Sequence, residues 1–338
     1  MNRKGATSLF GAAIFGVLTA APLPVNAADL AFDVALKTNS LPAFEIRNAS
    51  RIRFGKLEFV GGFEISSSHQ HAGAFSGLKL IENRTRIIAV TDTGFWFTAR
   101  VKRDESGRPI DLVDGRMAPM LDESGSTFPR KWESDAESVA ISGKSLLVSF
   151  ERNNRIYRYP LDFKRFDGRP IKVSHPIPGF ELRRNQGLET IAVSPKESPL
   201  KGSAITITEG SIDKKGNIFG GILSGPLRGV FTVKASDKFK VTDADFLPNG
   251  DLILLERRFE FATGLAMRMR RVKAEAIKPG AVLDGEVLLT TDMSFQIDNM
   301  EGLAITQNET GETILSLISD DNHSLLQRSL YLEFKLVE

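Results

Sequence analysis

Short apolar runs separated by polar turn residues recur along this chain, and they predict β-strands. Five runs of five or six residues are rich in β-branched and other apolar side chains and are bounded by Gly, Pro, Asn or Asp. They occupy residues 86–90, 145–149, 204–208, 251–255 and 313–318. Runs of this length and composition are typical of strands that are buried on both faces. Because long helical periodicity is scarce after the first 28 residues, we expect an all-β protein.

Acidic residues mark a repeat in these strands. Each run is followed by an acid, and these acids are Asp92, Glu151, Glu209, Glu256 and Asp320. Each run is also preceded by a related segment, anchored in turn on Gly77, Glu137, Glu189, Asp245 and Glu301. The anchors are separated by 60, 52, 56 and 56 residues. A period near 50 with strand–turn–strand content is typical of a β-propeller.

The number of blades follows from this spacing. Five anchors indicate five blades, and residues 28–76 are enough for one more, so the sequence predicts six blades. Five or seven blades are the alternatives. We expect the two termini to share the closing strand, with residues 329–337 as one contributor. A β-sandwich is the competing architecture, but it does not explain why the same acidic residue type recurs after five strands.

The first residues have the features of a signal peptide. Arg3 and Lys4 precede an apolar stretch at 6–22, and Val25-Asn26-Ala27 suits cleavage by a leader peptidase. We therefore expect a signal peptide at 1–27, a single domain at 28–338 and a periplasmic or secreted protein. The alternative is a retained membrane anchor, which the short, glycine-interrupted stretch disfavours. No later stretch is long and apolar enough to span a bilayer.

Composition excludes several classes of function. The 44 basic and 42 acidic residues nearly balance, which argues against a general nucleic-acid binder. The absence of cysteine excludes disulfides and thiol chemistry. The chain also lacks a Gly-x-Ser-x-Gly nucleophile elbow and a phosphate-binding P-loop. We expect a monomer that acts on a small molecule.

The repeated acids are expected to meet at one site, because equivalent positions in successive blades surround the propeller axis. One predicted ring contains Glu137, Glu189, Glu301 and Asp245, and a second contains Asp92, Glu151, Glu209, Glu256 and Asp320. Converging carboxylates must take up protons, pair with arginine or bind cations. Oxygen ligands without cysteine or clustered histidine suit Ca²⁺ or Mg²⁺. The alternative for each acid is that it only caps a strand by accepting from backbone amides.

Basic residues and histidines beside these acids are candidates for substrate binding. Arg152 and Arg257 each follow an acid directly and are expected to hold negative charge on a substrate. His71 is a candidate for substrate binding that would meet His323 near the site if the propeller closes as predicted, but a surface loop is the favoured position for either residue. The arginine-rich segment 257–280 is either a basic rim for an anionic ligand or a solvated hairpin.

Eight segments in order resemble the phytase-like family often called "esterase-like activity of phytase". They are Ser76-Gly77-Leu78, Ala89-Val-Thr-Asp92-Thr-Gly94, Asp135-Ala-Glu137, Ser149-Phe-Glu151-Arg152, Asn185-Gln-Gly-Leu-Glu189, Leu255-Glu256-Arg257, Asn299-Met-Glu301-Gly302-Leu303 and Ile318-Ser-Asp320-Asp321-Asn322. The resemblance covers roughly residues 55–335 and implies a propeller with phosphoester or ester hydrolase activity. Two positions depart from the pattern, because Thr93 replaces an arginine and Ser138 replaces a glycine. The first departure removes a phosphate contact.

Two functions of different classes follow from these observations. The first is a hydrolase of small anionic esters that uses a divalent cation, with Ca²⁺ as the expected cofactor. Its predicted catalytic residues are Glu189, Glu137 and Asp92, and its predicted substrate-binding residues are Arg152, Arg257 and His71. Its predicted metal ligands are Glu137, Glu189, Glu301, Asp320, Glu151, Glu209 and Glu256. The second is a non-catalytic propeller that binds a ligand or protein and contains a structural cation.

Overall fold

The structure is a computed structural model that describes residues 30–162 and 166–337. Its strands form five sheets, and the innermost strand of each sheet packs beside the innermost strands of the two neighbouring sheets. The fifth sheet meets the first in the same way, so the sheets form a closed ring around one axis. The predictions of an all-β protein and of a propeller are confirmed. The predicted signal peptide at 1–27 lies outside the described residues.

Each sheet is one blade, and most blades are built from consecutive strands. The described chain begins with β1 (Phe32–Val34), β2 (Lys37–Ser40), β3 (Arg53–Phe54) and β4 (Leu57–Ser66). Blade one contains β5 (Phe75–Ile81), β6 (Arg86–Thr91), β7 (Phe95–Arg103) and β8 (Pro109–Pro119). Blade two contains β9 (Ala136–Ser142), β10 (Ser145–Phe150), β11 (Arg155–Pro160) and β12 (Ile171–Val173).

The remaining three blades follow the same plan. Blade three contains β13 (Leu188–Val193), β14 (Ala204–Ile212), β15 (Ile218–Ile222), β16 (Gly229–Val233) and, parallel to β16, β20 (Val282–Leu283). Blade four contains β17 (Lys240–Phe246), β18 (Leu252–Glu260), β19 (Gly264–Val272) and β21 (Glu286–Asp292). Blade five contains β22 (Asn299–Gln307), β23 (Thr313–Asp320) and β24 (Ser329–Leu336).

Helical structure is minor. In the described part of the chain it includes the one-turn helix α1 (Lys131–Ser134) and 3₁₀ turns at Gly179–Glu181 and Ala274–Ala276. Within residues 30–162 and 166–337, no helix has the length and apolar character that crossing a membrane requires.

The prediction of six blades is wrong, because residues 30–66 do not form a blade of their own. Strand β1 pairs with β8 at the outer edge of blade one. Strands β2 and β4 extend blade five, where β4 pairs with β24. The N-terminal strands are therefore used as edges of two blades that the rest of the chain begins. The sequence predicts that the two termini share one closing strand, but they contribute separate strands, β4 and β24, which pair side by side in blade five.

A buried ion-pair network holds the closing strand against blade one. The carboxylate of Glu333 on β24 is fully buried and lies 2.7 Å from guanidinium nitrogens of both Arg84 and Arg103. The hydroxyl of Tyr331 donates to the same carboxylate at 2.5 Å. Burial alone would raise the pKa of Glu333, but Arg103 and Arg84 outweigh it and the pKa lies below its usual range. Because Arg84 and Arg103 belong to blade one, this network joins the last blade to the first.

Apolar side chains fill the five junctions between neighbouring blades. In one junction, Trp96 of blade one shares a buried cluster with Phe150 and Tyr159 of blade two. In another, Phe63 on β4 of blade five packs with Phe75 of blade one. Each blade thus has a neighbour on both faces, which is why the strands read as continuous apolar runs in the sequence.

The inner strands approach one another closely at the axis, and small residues permit this. A Cβ atom added to Gly77 would lie 2.8 Å from the Cα of Ser138 and 2.8 Å from the backbone nitrogen of Val139. The carboxylate of Asp243 fills the axis at this level. It accepts from the hydroxyl of Ser138 at 2.8 Å and from the amide of Leu303 at 2.8 Å. Blades two, four and five are therefore linked through one buried carboxylate.

The close approach at Gly77 gives a stability prediction. We expect Gly77→Ala to lower the free energy of unfolding by about 1–3 kcal/mol, because the added methyl group meets backbone atoms of blade two that cannot rotate away. Urea denaturation followed by circular dichroism measures this loss. Gly179→Ala is the control, since a Cβ there meets nothing within 4 Å. Equal stability of both variants would contradict the close packing of the inner strands.

Candidate functional site

A β-bulge occurs at the same point of every innermost strand, close to one mouth of the axis. In blade two, Ser138 pairs with Ser149 and Ala136 with Phe150, so Glu137 has no partner of its own. The same register shift occurs in the other four blades. The bulged residues are Ser76, Glu137, Glu189, Thr242 and Glu301. A bulge bends its strand and re-aims one side chain, and here it directs three glutamates toward the axis.

A second ring of side chains comes from the ends of the next strands. Four of its five members are the acids Asp92, Glu151, Glu209 and Asp320. The fifth, in blade four, is Arg257. Strand pairing explains this assignment. The pair just before the bulge is Phe75 with Thr91 in blade one and Val241 with Glu256 in blade four, and Asp92 is the residue after Thr91. The residue that follows Glu256 is therefore the structural counterpart of Asp92.

The two rings surround one open cavity of about 710 Å³, which we call the carboxylate pocket. Among the described residues, nine carboxyl groups and two guanidinium groups line it. The carboxyl groups belong to Asp92, Asp135, Glu137, Glu151, Glu189, Glu209, Asp298, Glu301 and Asp320, and the guanidinium groups belong to Arg152 and Arg257. The structure therefore brings together almost all of the site residues that the repeat predicted.

Several of the acids have positively charged partners. The Nε of Arg152 lies 2.7 Å from Asp135, and the Nζ of Lys131 lies 3.0 Å from Asp92. Arg257 lies between two acids, with its Nη2 3.4 Å from Glu209 and its Nε 3.3 Å from Glu301. The second oxygen of Asp92, Oδ1, is buried and accepts no hydrogen bond from the described residues. The pocket is thus only partly neutralised by the protein.

Glu137 and Glu189 are the acids without compensation. No side chain of the described residues forms a hydrogen bond or an ion pair with either carboxylate. Burial, followed by the neighbouring carboxylates, raises the pKa of both groups well above the usual value. A buried carboxylate in this setting is stable only when it carries a proton or lies beside a cation.

Three further acids titrate near neutral pH. Burial raises the pKa of Glu151 to about 7, although the amide of Gly187 donates to its carboxylate. Burial also raises the pKa of Glu301 to about 7, against the opposing effect of Arg257. For Asp320, burial and the nearby acids raise the pKa to about 8. The pocket therefore exchanges protons in the physiological range.

One group of acids has the spacing that a metal ion needs. Asp135, Glu137 and Glu151 each offer a carboxylate oxygen, and these oxygens lie within 4.8 Å of one another. Calcium binds oxygen at about 2.3–2.6 Å, so two ligands on opposite sides of the ion are about 5 Å apart. The unpartnered Oδ1 of Asp92 belongs to the same pocket. The donor set therefore fits a hard divalent cation.

Glu256 is excluded from the pocket, contrary to the predicted metal-ligand role. Its carboxylate is buried between blades, where Arg268 donates to it at 2.6 Å and Arg270 at 2.5 Å. Alternate side chains of a strand point to opposite faces, so Glu256 faces away from the pocket when Arg257 faces into it. The arginines of segment 257–280 that were candidates for a basic rim are likewise partly used in this buried network.

Asp245 is also misplaced in the predicted ring. It lies at the opposite end of the axis, beside a small cavity of about 160 Å³, and its carboxylate is 3.0 Å from the Nζ of Lys79. The ring position in blade four belongs to Thr242, whose hydroxyl donates to the carbonyl of Met300 at 2.9 Å. A repeat aligned within one sequence cannot show which residue is bulged. In blade four the predicted residue, Asp245, lies three positions after the bulged residue, Thr242.

His71 does not line the carboxylate pocket. It stacks on Phe95 with ring centroids 4.5 Å apart and lines a neighbouring cavity of about 330 Å³ together with Phe32. Burial, then the charges of His69 and His323, lowers the pKa of His71. His71 therefore lies outside the pocket, where the charge of His323 still acts on it.

Sequence reasoning missed several residues of the lining. Asp135 could have been found, because it lies two residues before Glu137. The apolar residues Phe259, Leu265, Met293 and Leu326 carried no signal, because each belongs to a loop or hairpin end outside the repeated segments. Their place in the pocket depends on how the loops of blades four and five fold over the mouth.

Comparison with known proteins gives one family. The sequence profile of the phytase-like family, described as "Esterase-like activity of phytase", matches residues 70–323, which is most of the chain. None of the curated proteins matches the chain.

Solved structures of similar arrangement are distant in sequence. The major allergen Mala s 1 of Malassezia sympodialis is 13% identical with a TM-score of 0.40, and the match covers 88% of this chain and 95% of the allergen. The structure of U3-55K is 11% identical with a TM-score of 0.39, and the match covers 82% of this chain and 98% of that protein. At this level of likeness, neither structure bears on the function of the pocket.

The raised pKa values of the pocket acids predict how stability depends on pH. In the folded, chelator-treated protein, Glu151, Glu301 and Asp320 titrate between about 7 and 8, whereas in the unfolded chain they titrate near 4. The folded state therefore binds more protons between these values, and its stability falls as the pH rises from 5 to 8. We expect the melting temperature to decrease over this range.

Scanning calorimetry with chelator at pH 5, 6, 7 and 8 measures this dependence. Glu151→Gln, which cannot ionise, should show a smaller decrease than the wild-type protein. Glu309→Gln, a change at an exposed site outside the pocket, should keep the full decrease. A melting temperature that stays constant or rises between pH 5 and pH 8 would show that the pocket acids do not carry raised pKa values.

Proposed function

This chain belongs to the phytase-like family described as esterase-like activity of phytase, and on that premise we propose that it hydrolyses small esters in the carboxylate pocket with the help of a divalent cation. Phosphate esters and carboxylic esters are both within this proposal. Calcium is the cation that the all-oxygen donor set favours. The proposal extends the family assignment to a site and to a chemistry.

The observation that carries the proposal is the convergence of nine carboxyl groups on one open cavity with only two lining arginines. This arrangement opposes folding, because like charges repel and burial disfavours ionised groups. A residue set chosen only for stability would not place Glu137 and Glu189 there without partners. A bound cation removes the repulsion and supplies a reason for the arrangement.

The expected cation ligands lie mainly in blade two. Asp135, Glu137 and Glu151 provide the oxygens closest to one another. They lie at the start of β9 and the end of β10, which are joined there by a hydrogen bond of 2.9 Å from the amide of Glu151 to the carbonyl of Asp135. Further oxygens are available around the ring from Glu189, Glu209, Glu301 and Asp320. When bound, the cation would polarise the carbonyl or phosphoryl oxygen of the ester and increase the acidity of a nearby water.

The chain's own residues have separate roles in this proposal. Glu189 is the expected general base, because it faces the pocket without a partner and its raised pKa is suited to accepting a proton from the attacking water. The water oxygen forms a bond to the ester carbon or phosphorus, the bond to the leaving oxygen breaks, and that oxygen takes up a proton. Asp92, with one free oxygen, is positioned to orient the water.

Arg152 and Arg257 are the residues that would contact negative charge on the substrate. Both already bond to acids of the pocket, Arg152 to Asp135 and Arg257 to Glu209 and Glu301. Once a cation takes over these carboxylates, the guanidinium groups can donate to a substrate oxygen instead. His71, which lies outside the pocket, has no such role in this proposal.

Export belongs to the same proposal. A signal peptide at 1–27 would deliver a mature domain of residues 28–338 to the periplasm or the medium. Calcium is available outside the cytoplasm, so a hard-cation site would be filled there. We expect the mature protein to be a monomer.

A non-catalytic binding propeller is the second candidate function. It is favoured by the pairing of both lining arginines with carboxylates, which leaves no unpaired cationic side chain among the described residues lining the pocket. In that case the cation would hold the five blades at the mouth, and the pocket would bind a ligand without transforming it.

Calcium binding and hydrolysis test the proposal together. We expect calorimetric titration of chelator-treated protein with Ca²⁺ to show binding, and Glu137→Gln to weaken it by at least tenfold, because an unpartnered ligand oxygen is lost. We expect hydrolysis of p-nitrophenyl phosphate or p-nitrophenyl acetate that stops with chelator. Glu189→Gln should lower kcat by at least a hundredfold if it is the base.

Glu309→Gln serves as the control and should leave both binding and hydrolysis unchanged. Calcium binding without turnover of any ester would refute the hydrolase and favour the binding propeller. Turnover that survives chelation would refute the role of the cation. Absence of calcium binding together with absence of turnover would refute both the hydrolase and the binding propeller that contains a structural cation.

A further inference from the structure

The carboxylate pocket has an apolar side that the hydrolytic residues do not use. Four side chains form it, which we call the apolar wall: Phe259, Leu265, Met293 and Leu326. They come from the β18–β19 hairpin, the loop after β21 and the loop between β23 and β24. The lining of the pocket therefore combines carboxylates with an apolar surface.

Strand alternation places Phe259 of the apolar wall on the same face of β18 as Arg257 of the carboxylate pocket. Phe259 lies two residues after Arg257, so both side chains are on the same face of β18. Phe259 pairs directly with Leu265 on β19, and residues paired in this way have neighbouring side chains. Arg258, between Arg257 and Phe259, points the other way and packs over the ring of Phe239 at 4.9 Å.

The wall continues from the hairpin to the next loop. A Cβ atom at Gly264 would lie 3.3 Å from the Cγ of Met293, so the tip of the hairpin touches the loop that follows β21. Two loops of blade four therefore form one continuous apolar surface at the mouth of the pocket.

Three of these four side chains are exposed, which is unfavourable unless a ligand covers them. Phe259 is 67% exposed, Met293 53% and Leu326 94%. Scattered apolar residues on a surface need no explanation, but several around one polar cavity mark a binding site. Burying such groups against an apolar ligand is favourable in proportion to the area removed from water.

The charges of the pocket disfavour a substrate with many phosphates. Nine carboxyl groups line it, and its two arginines are already paired with some of them. A polyphosphorylated substrate would add several negative charges that a single cation could not neutralise. An ester with one polar group and one apolar group matches both sides of the pocket.

We propose that the apolar wall binds the acyl chain of a carboxylic ester, while the carboxylate side holds the ester group, so that the protein selects amphipathic esters over polyphosphorylated ones. This inference rests on the proposed hydrolase function for its catalytic part. The wall itself is a binding surface whose existence does not depend on turnover.

A chain-length series of substrates tests the wall through catalysis. The p-nitrophenyl esters of acetate, butyrate and hexanoate share a leaving group and differ only in the acyl chain. We expect kcat/KM of the calcium-loaded protein to rise about 2- to 4-fold per methylene group as the chain reaches the wall. Inositol hexakisphosphate should be hydrolysed more slowly than the best of these esters.

Neighbouring exposed residues provide matched controls. Phe259→Ser and Leu326→Ser should flatten the chain-length dependence, because the longer acyl chains lose the apolar surface that they bind. Phe261→Ser and Leu325→Ser remove side chains that are 101% and 104% exposed but do not line the pocket. These two variants should keep the wild-type dependence. All four sites are exposed, so the changes should not disturb folding.

Binding of the product acids tests the wall without turnover. We expect octanoate to bind the calcium-loaded protein at least tenfold more tightly than acetate in calorimetric titrations. Phe259→Ser and Leu326→Ser should reduce this ratio, and Phe261→Ser and Leu325→Ser should not.

The two experiments separate the failure of the wall from the failure of the enzyme. Hydrolysis with no dependence on chain length, or fastest turnover of inositol hexakisphosphate, would refute acyl-chain binding by the apolar wall but not the proposed hydrolase function. No hydrolysis of any ester would refute the hydrolase, and the binding ratio would then decide the wall. Equal binding of octanoate and acetate would overturn it, and tighter binding of octanoate with the stated variant pattern would support it.

Discussion

Closure of the ring is the constraint on which the rest of this structure depends. The pairing of β24 with β4 joins the end of the chain to its beginning, and the buried Glu333, Arg84 and Arg103 fix the closed blade against blade one. Only a closed ring brings residues that are about 50 positions apart to the same level of one axis. The site exists because strand ends from every blade then face one cavity.

The cavity is held together at an electrostatic cost that the fold only partly offsets. Arg257 occupies the one ring position of five that is not acidic, and it lies between Glu209 and Glu301. Without it, Glu301 would lose its ion-pair partner, and Glu209 would keep only Lys240, whose Nζ lies 3.2 Å away. Glu137 and Glu189 remain uncompensated, and their raised pKa values express that cost. These uncompensated carboxylates lower the stability of the fold, and they also suit the pocket to a cation, because a metal ion would neutralise their negative charge.

Polar and apolar surfaces meet in the pocket for a structural reason. The bulges of the innermost strands supply Glu137, Glu189 and Glu301, and the ends of the next strands supply Asp92, Glu151, Glu209 and Asp320. Hairpin ends and loops of blades four and five carry Phe259, Met293 and Leu326. Repeated strand positions therefore supply the ionic groups, which the ring fixes in place, and segments outside the repeat supply the apolar groups.

The sequence by itself determined the strands, the repeat and the type of chemistry at the strand ends, because each depends on local pattern. Short β-rich runs, the acids that follow them and the family motifs are all visible without any contact between distant residues. Asp92, Glu137, Glu151, Glu189, Glu209, Glu301 and Asp320 were all expected at one site, and the ring brings them there.

Tertiary structure alone decided the number of blades and the register of blade four. The N-terminal strands pair with β8 and β24, which are far away in the chain, so no local pattern could reveal that they add no sixth blade. All five innermost strands are bulged at the same point, and strand pairing places Thr242 and Arg257 of blade four at the positions where the repeat had placed Asp245 and Glu256. The sequence alone could not show this, because a bulge is a property of the pairing between two strands and not of either sequence.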